Sequence, residues 1–399
     1  MRLPPSLLAV GRVASLRRRA IPFLLCAVLA AGCGVSPTPP AISVGPSATL
    51  FGSPTAASPS ARASAVPSPS ALASPVASST SPVAGRIDGT MSLTGVAFGP
   101  LALAVGFESV WVAMPAALPY SATSRGELLR LSPDLTKIQA RIPVGWAPGS
   151  IAITSTAVWV ADSRGDLSNP DGRQDLVERI DPATDVVTAS VVVDDPQRLT
   201  AAGDAVWVTP GARAGSTRLL RISDAAAVAG MATVGGTVAD VEVDGNDLWA
   251  GANGPAGGPG RVLRIDATSG AVLATIPLDD QVGPLIIAPG AVLAMVAGDS
   301  SGSDGVQAID PTTNALSGAI RSGNALVGSV VRVIGPSIWV ADQGNVTAVD
   351  PRSLQRVTTS LTVVGSPGSS VVAIDGDAAA IWILTGTGVV RVIPARLGP

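Results

Sequence analysis

The residues of this chain that could act on a ligand stand in the segments joining its apolar, strand-like runs. Trp146, Asp162, Arg164, Asp195, Arg198, Asp280, Gln281 and Asp342 lie in such segments, with Asp166, Asp194, Gln197, Asp279, Asp299 and Gln343 beside them. Carboxylate and amide oxygens are hard ligands that suit Ca²⁺ or another divalent metal, and an acidic mouth also attracts a cationic or polar partner. Asp162 and Asp342 occupy equivalent places, each just after a Trp-Val-Ala run. Asp is equally a turn-capping residue, which is its commoner use in loops. The stretch from Asp162 to Asp175 has neither the alternating Asp spacing nor the terminal Glu of an EF-hand, so no calcium loop is read there.

Other chemistry is missing. The 399 residues contain no His, which removes the commonest general base, the Ser-His-Asp and Cys-His arrangements and every His-ligated metal site. Glu occurs only at positions 108, 127, 178 and 242, and the last three fall within or beside strand-like runs. No glycine-rich phosphate loop is present, and no residue is assigned a catalytic role. No cofactor is required by this reading.

Arg17-Arg18-Arg19 followed by the uncharged, mostly apolar stretch Ala20 to Gly32 describes an export signal, too short to span a bilayer of about 30 Å. Leu29-Ala30-Ala31-Gly32-Cys33 resembles a bacterial lipobox, in which the signal is cut before Cys and the thiol carries lipid. Residues 1–32 are therefore expected to be a signal peptide and Cys33 a lipidated N-terminus. The chain would be held by diacylglycerol and palmitate-type acyl groups on the extracytoplasmic side of a bacterial membrane. Cys26 lies inside the signal, so the mature chain keeps no thiol for disulfides or catalysis. Losing the five Arg of the first 19 residues leaves 21 basic against 29 acidic residues, and the net charge moves from −3 to −8. That balance argues against nucleic-acid binding, which needs a basic footprint. The Pro, Ser, Ala and Thr tract that follows, through residue 85, is expected to be a disordered tether.

From Leu101 onward one phrase recurs seven times, an alternating apolar strand centred on Trp111, Trp159, Trp207, Trp249, Leu293, Trp339 and Trp382. The centres are 48, 48, 42, 44, 46 and 43 residues apart, the period of a four-stranded propeller blade. Residues 86–399 are thus expected to form an all-β, seven-bladed β-propeller of four-stranded antiparallel blades. In blade 2 the reading is Ser150 to Thr154, Ala157 to Ala161, Leu176 to Ile180 and Val186 to Val193, with a type I turn at Asp181-Pro182-Ala183-Thr184. The turn recurs at Asp310, at Asp350 and, with Ala for Pro, at Asp266. After Trp382 only one more strand remains, so an N-terminal strand within Arg86 to Gly95 is expected to complete the last blade and close the ring.

Val144-Gly145-Trp146-Ala147-Pro148-Gly149-Ser150, Val158-Trp159-Val160-Ala161-Asp162 and Arg179-Ile180-Asp181-Pro182-Ala183-Thr184 resemble a YVTN- or NHL-type propeller repeat, and are similar to the repeats of streptogramin B lyases. The resemblance covers nearly all of the chain after Arg86. It implies a fold that serves as binding platform, scaffold, lyase or lactonase, and the lyase activity, which the family supports with a His and a metal, is not expected here. The favoured reading is a binding or scaffold module whose loop face takes a protein, glycan or other envelope ligand. The alternative is a metal-dependent, lactonase-like hydrolase or lyase using Asp ligands. A quinoprotein-type turn is read at Asp266-Ala267-Thr268-Ser269-Gly270, but the docking Trp expected after it is absent.

Overall fold

The computed structural model describes residues 83–93, 99, 101–117, 124–163, 174–211, 217–255, 258–297, 305–320, 330–342, 344–364 and 370–395. Cys33, the expected tether up to residue 82 and Arg164 lie outside the described residues, as do Asp166, Asp299 and Gln343; residues 83–85, expected at the tether's end, lead into the closing strand.

Seven four-stranded antiparallel sheets form the ring. The strands of each blade are lettered A to D from the axis outward. The A strands are Ala102–Gly106, Pro148–Ile153, Pro196–Ala202, Thr237–Asp244, Gln281–Ala288, Val330–Ile334 and Val371–Gly376. Blade 2 runs Pro148–Ile153, Val158–Asp162, Leu176–Asp181 and Val186–Val192. Its A strand begins two residues before the expected Ser150. A bulge between Pro148 and Ser150 admits the proline where no ladder N–H is needed.

Closure follows the expected route. Gly85–Ser92 pairs antiparallel with Gly388–Pro394 and becomes the outer strand of blade 7, so the two ends of the chain lock the ring. Ala84 adds a bond on either side: its N–H donates to the Thr359 carbonyl at 3.0 Å, and its own carbonyl accepts from Ala395 at 3.0 Å.

The repeated Trp, replaced by Leu293 in blade 5, stands within the B strand because both faces of that strand are covered by neighbouring blades. Trp111, Trp159, Trp207 and Trp249 are fully buried. Each such side chain taken from water contributes roughly 4 kcal/mol. On the adjoining C strand, directly opposite Trp, stands an Arg in five blades: Trp111 faces Arg130, Trp159 Arg179, Trp207 Arg221, Trp249 Arg264 and Trp382 Arg391. Four of these guanidinium carbons lie 5.1 to 5.9 Å from the indole centroid.

Four of these arginines reach the next blade, while Arg391 pairs with Asp88 on the outer strand of its own blade. Arg130 Nη1 donates to the Pro182 carbonyl at 2.7 Å and to Asp185 at 3.0 Å. Arg179 holds Asp224 at 2.9 Å, Arg221 donates to the Ala267 carbonyl at 3.2 Å, and Arg264 to the Pro311 carbonyl at 2.6 Å. Every acceptor sits in the C–D turn of the following blade. The turns of blades 2, 4 and 5 open on an Asp that makes them rigid: Asp181 accepts the Ala183 N–H at 2.9 Å and the Thr184 hydroxyl at 2.7 Å. The fifth residue takes positive φ, as Asp185 (58°), Gly270 (77°), Asn314 (57°) and Leu354 (54°), and its N–H returns to the first residue's carbonyl. Blades 5 and 6 lack the Arg, since Ala308 faces Leu293 and Ala348 faces Trp339.

Candidate functional site

The strand order places the D-to-A and B-to-C connections at one end of the ring, here the loop face, and the A–B hairpins and C–D turns at the other. The expected ligand residues do not converge on one point of that face.

Asp162, Asp175 and Glu178 of blade 2 and Asp195, on the connection into blade 3, are all buried. Each braces a loop. Asp162 accepts the Ala147 N–H at 2.7 Å, and Glu178 accepts the Gly145 N–H at 2.8 Å. Asp175 accepts the Asp195 N–H at 3.1 Å, while the Asp195 carboxylate takes the Ser163 hydroxyl at 2.9 Å and the Gln197 amide at 2.7 Å. Asp195 is itself at positive φ, 50°. A side chain on Gly145 would collide with the Asp162 carboxylate, so glycine is required beneath it.

Burial pushes the Asp162 carboxyl up to about 6, against the Ala147 bond that lowers it and with the charges of Glu178 and Asp175 raising it further. Glu178 is also raised by burial, opposed by its bond from Gly145 and by Arg125. These are loop braces closed to solvent. Among the described residues no three His, Cys, Asp or Glu side chains stand together in a way that could hold a metal ion.

Trp146 is buried on the same loop, and its carbonyl accepts from Ala116 at 2.7 Å. Asp280 is half-buried, its carbonyl taking the Gly260 N–H at 2.9 Å. Gln281 and Asp342 are exposed, on blades 5 and 6.

Arg198 is elsewhere. It projects into the central channel, a cavity of about 810 Å³ lined by the seven A strands. There it pairs with the buried Asp240, which also accepts the Leu285 N–H of blade 5 at 2.8 Å. Desolvation lowers the Arg198 guanidinium from its ordinary value, with the charges of Glu242 and Arg332 acting in opposite senses. Arg332 Nη1 donates to Glu242 at 2.7 Å, joining blade 6 to blade 4 past the inner strand of blade 5. Asp375 accepts the Val105 N–H of blade 1 at 2.8 Å and the Gly376 N–H at 2.9 Å, and burial raises its carboxyl.

Glu242, Arg332 and Asp375 were not among the expected ligand residues. Their sequence signal is a charge inside an otherwise apolar alternation, Val241-Glu242-Val243, Val331-Arg332-Val333 and Ile374-Asp375-Gly376. A charge there points toward the axis.

No family model matches this chain, and no curated protein matches it. Among solved structures, the hydrazine synthase of Kuenenia stuttgartiensis is 13% identical, with 79% of this chain and 100% of that chain covered at a TM-score of 0.55. The WD40 β-propeller domain of Doa1 is 10% identical, covering 78% and 97%, at 0.53. BamB from Moraxella catarrhalis is 14% identical, covering 79% and 92%, at 0.49. At these identities the similarity is one of fold: a β-propeller.

Proposed function

We propose that this chain is a lipid-anchored, extracytoplasmic β-propeller of YVTN- or NHL-like type that binds a protein, glycan or other envelope ligand on its loop face. The reading takes residues 1–32 as the signal peptide, Cys33 as the lipidated residue and the tract that follows, up to residue 82, as the tether.

The observation that carries it is the bracing of the loop face at blades 2 and 3. Four buried carboxylates are committed to backbone N–H groups or to neighbouring side chains, so they hold loops in place. A rim fixed before the ligand arrives loses little conformational entropy on binding, which favours a recognition surface. Gln281, Asp342 and the half-buried Asp280 are the expected ligand residues left accessible on it. The metal-dependent hydrolase reading has no donor set among the described residues.

Two measurements test the proposal together. Metabolic labelling with a palmitate analogue should mark the wild-type chain in the membrane fraction, and Cys33→Ser should lose both label and membrane association. Affinity purification of the labelled chain should retain an envelope component that a Gln281→Trp/Asp342→Trp variant loses. An unlabelled wild type would remove the anchor, and a retained component unaffected by the rim variant would remove the loop-face assignment.

A further inference from the structure

The channel lining is ordered by sign. Around the ring the charged side chains that line it run Arg198 in blade 3, Glu242 in blade 4, Arg332 in blade 6 and Asp375 in blade 7, alternating positive and negative, with Asp240 buried against Arg198. Blades 1 and 2, and blade 5 between the charged blades 4 and 6, contribute no charge to the lining; their half-buried Val105, Ile151, Ile153 and Ile287 line the channel while also packing against the cores between blades.

The two guanidinium forks are not saturated by the protein. Arg332 gives one N–H to Glu242 and, among the described residues, has no protein acceptor for the rest of its fork; Arg198 has only Asp240. Both side chains are about half exposed, 48% and 49%. An ion of either sign entering the channel would meet charges of both signs, Arg198 and Arg332 beside Asp240, Glu242 and Asp375, and its attraction to one set is opposed by the other. A hydroxyl donates and accepts, so a set of hydroxyls can answer guanidinium forks and carboxylates at once. An aliphatic sector facing that polar one suits the C–H face of a sugar ring. About 810 Å³ lies within the usual range of small-ligand sites.

We infer that the central channel binds a neutral polyhydroxylated ligand, a short saccharide or polyol, held between Arg198 and Arg332 on the polar side and Ile151 and Ile153 on the aliphatic side. The inference rests on the reading of this chain as a binding module and names the ligand class of its channel.

The test is calorimetric titration of the full-length protein in a detergent without a sugar headgroup. The probes are maltose, trehalose and the N-acetylglucosamine disaccharide, with gluconate and glucosamine as charged counterparts. At least one neutral disaccharide should bind one to one, with both charged probes weaker by about tenfold or more. Arg332→Gln should weaken that binding by about tenfold. Because Arg332→Gln leaves Glu242 without its partner, Glu242→Gln is the second variant. It keeps the side-chain shape, and its binding should also fall several-fold while its melting temperature stays near wild type. No binding by any neutral probe, equal binding of a charged probe, or wild-type affinity in a folded Glu242→Gln protein would overturn the inference. Saccharide failure with affinity capture through the loop-face rim intact would remove the channel ligand and leave the binding module standing.

Discussion

The guanidinium of Arg130 lies 5.1 Å from the Trp111 ring centroid, on the strand next to it, and donates past it to the turn of the following blade. One side chain thereby packs its own blade and fastens the next. The pairing repeats in five blades at a single register, one Trp on strand B against one Arg on strand C.

Replacing Arg130 with Ala removes a cation–π contact and two charge-assisted bonds to blade 2. The expected loss is about 2 kcal/mol, read by urea denaturation. Arg130→Lys should restore less than half of it, because an ammonium cannot stack on Trp111 and span Pro182 and Asp185 together. Full rescue by Lys would reduce the pairing to simple charge.

Blades 5 and 6 lack this fastening, since Ala308 and Ala348 stand at the Arg positions. Hydrogen exchange should therefore open Ile338–Val340 before Val158–Val160, although both runs are buried to a similar degree. Uniform protection of the two would show that the arginines do not set local stability.

The raised Asp162 carboxyl gives stability a definite slope. Its folded value of about 6 exceeds the ordinary 3.8, so the folded state binds its proton more tightly than the unfolded chain does. Its charged form costs stability above about pH 6, and that cost is relieved as pH falls from about 6 toward 4, by about 2–3 kcal/mol at most. Glu178 and Asp375, raised by burial, act in the same sense. The turn residues Asp181, Asp266, Asp310 and Asp350 are lowered by hydrogen bonds within their turns and act oppositely. Their contribution is full above the ordinary carboxylate range and is lost as pH falls through their folded values. Asp162→Asn should flatten the rise between pH 6 and 4 in a melting series and leave the fall below it. An unchanged profile would place the rise elsewhere.

Gly145→Ala would drive a methyl group into the Asp162 carboxylate. The expected cost is about 2–4 kcal/mol in urea denaturation, because both the carboxylate and its bond to Ala147 must shift. Gly149→Ala is the control and should be near neutral, since the nearest neighbour of a Cβ added at Gly149 is 3.9 Å away.

Ring closure is tested by truncation. Removing the chain through Ser92 takes away the outer strand of blade 7, which pairs along Gly388–Pro394. Cooperative unfolding should be lost, whereas a chain beginning at Val83 should melt as the intact protein does. A truncated chain that still melts in one sharp transition would contradict closure.

Much of this fold was legible because period-2 strands and Asp-Pro turns are local signals, and the Trp repeat counted the blades. The closing strand was legible from the strand missing after Trp382. The Arg on strand C was equally regular, in Leu129-Arg130-Leu131 and Glu178-Arg179-Ile180, yet its partner lies in another blade and no local pattern shows it. The site was less legible for the same reason. Asp162 and Asp195 read as exposed loop acids, but their surroundings come from loops that only the ring brings together. Arg332 and Glu242 are 90 residues apart and meet only because blades 4 and 6 share an axis.

The central claim is that the loop face is the binding surface, and site-specific photo-crosslinking in intact cells tests it most directly. Crosslinkers would be placed at Gln281 and Asp342 on the loop face, and at Thr184 and Ser269 in the turns of the opposite face. The account predicts one discrete envelope adduct from the first pair and none from the second. Adducts from the turn face alone, or equally from both faces, would contradict it.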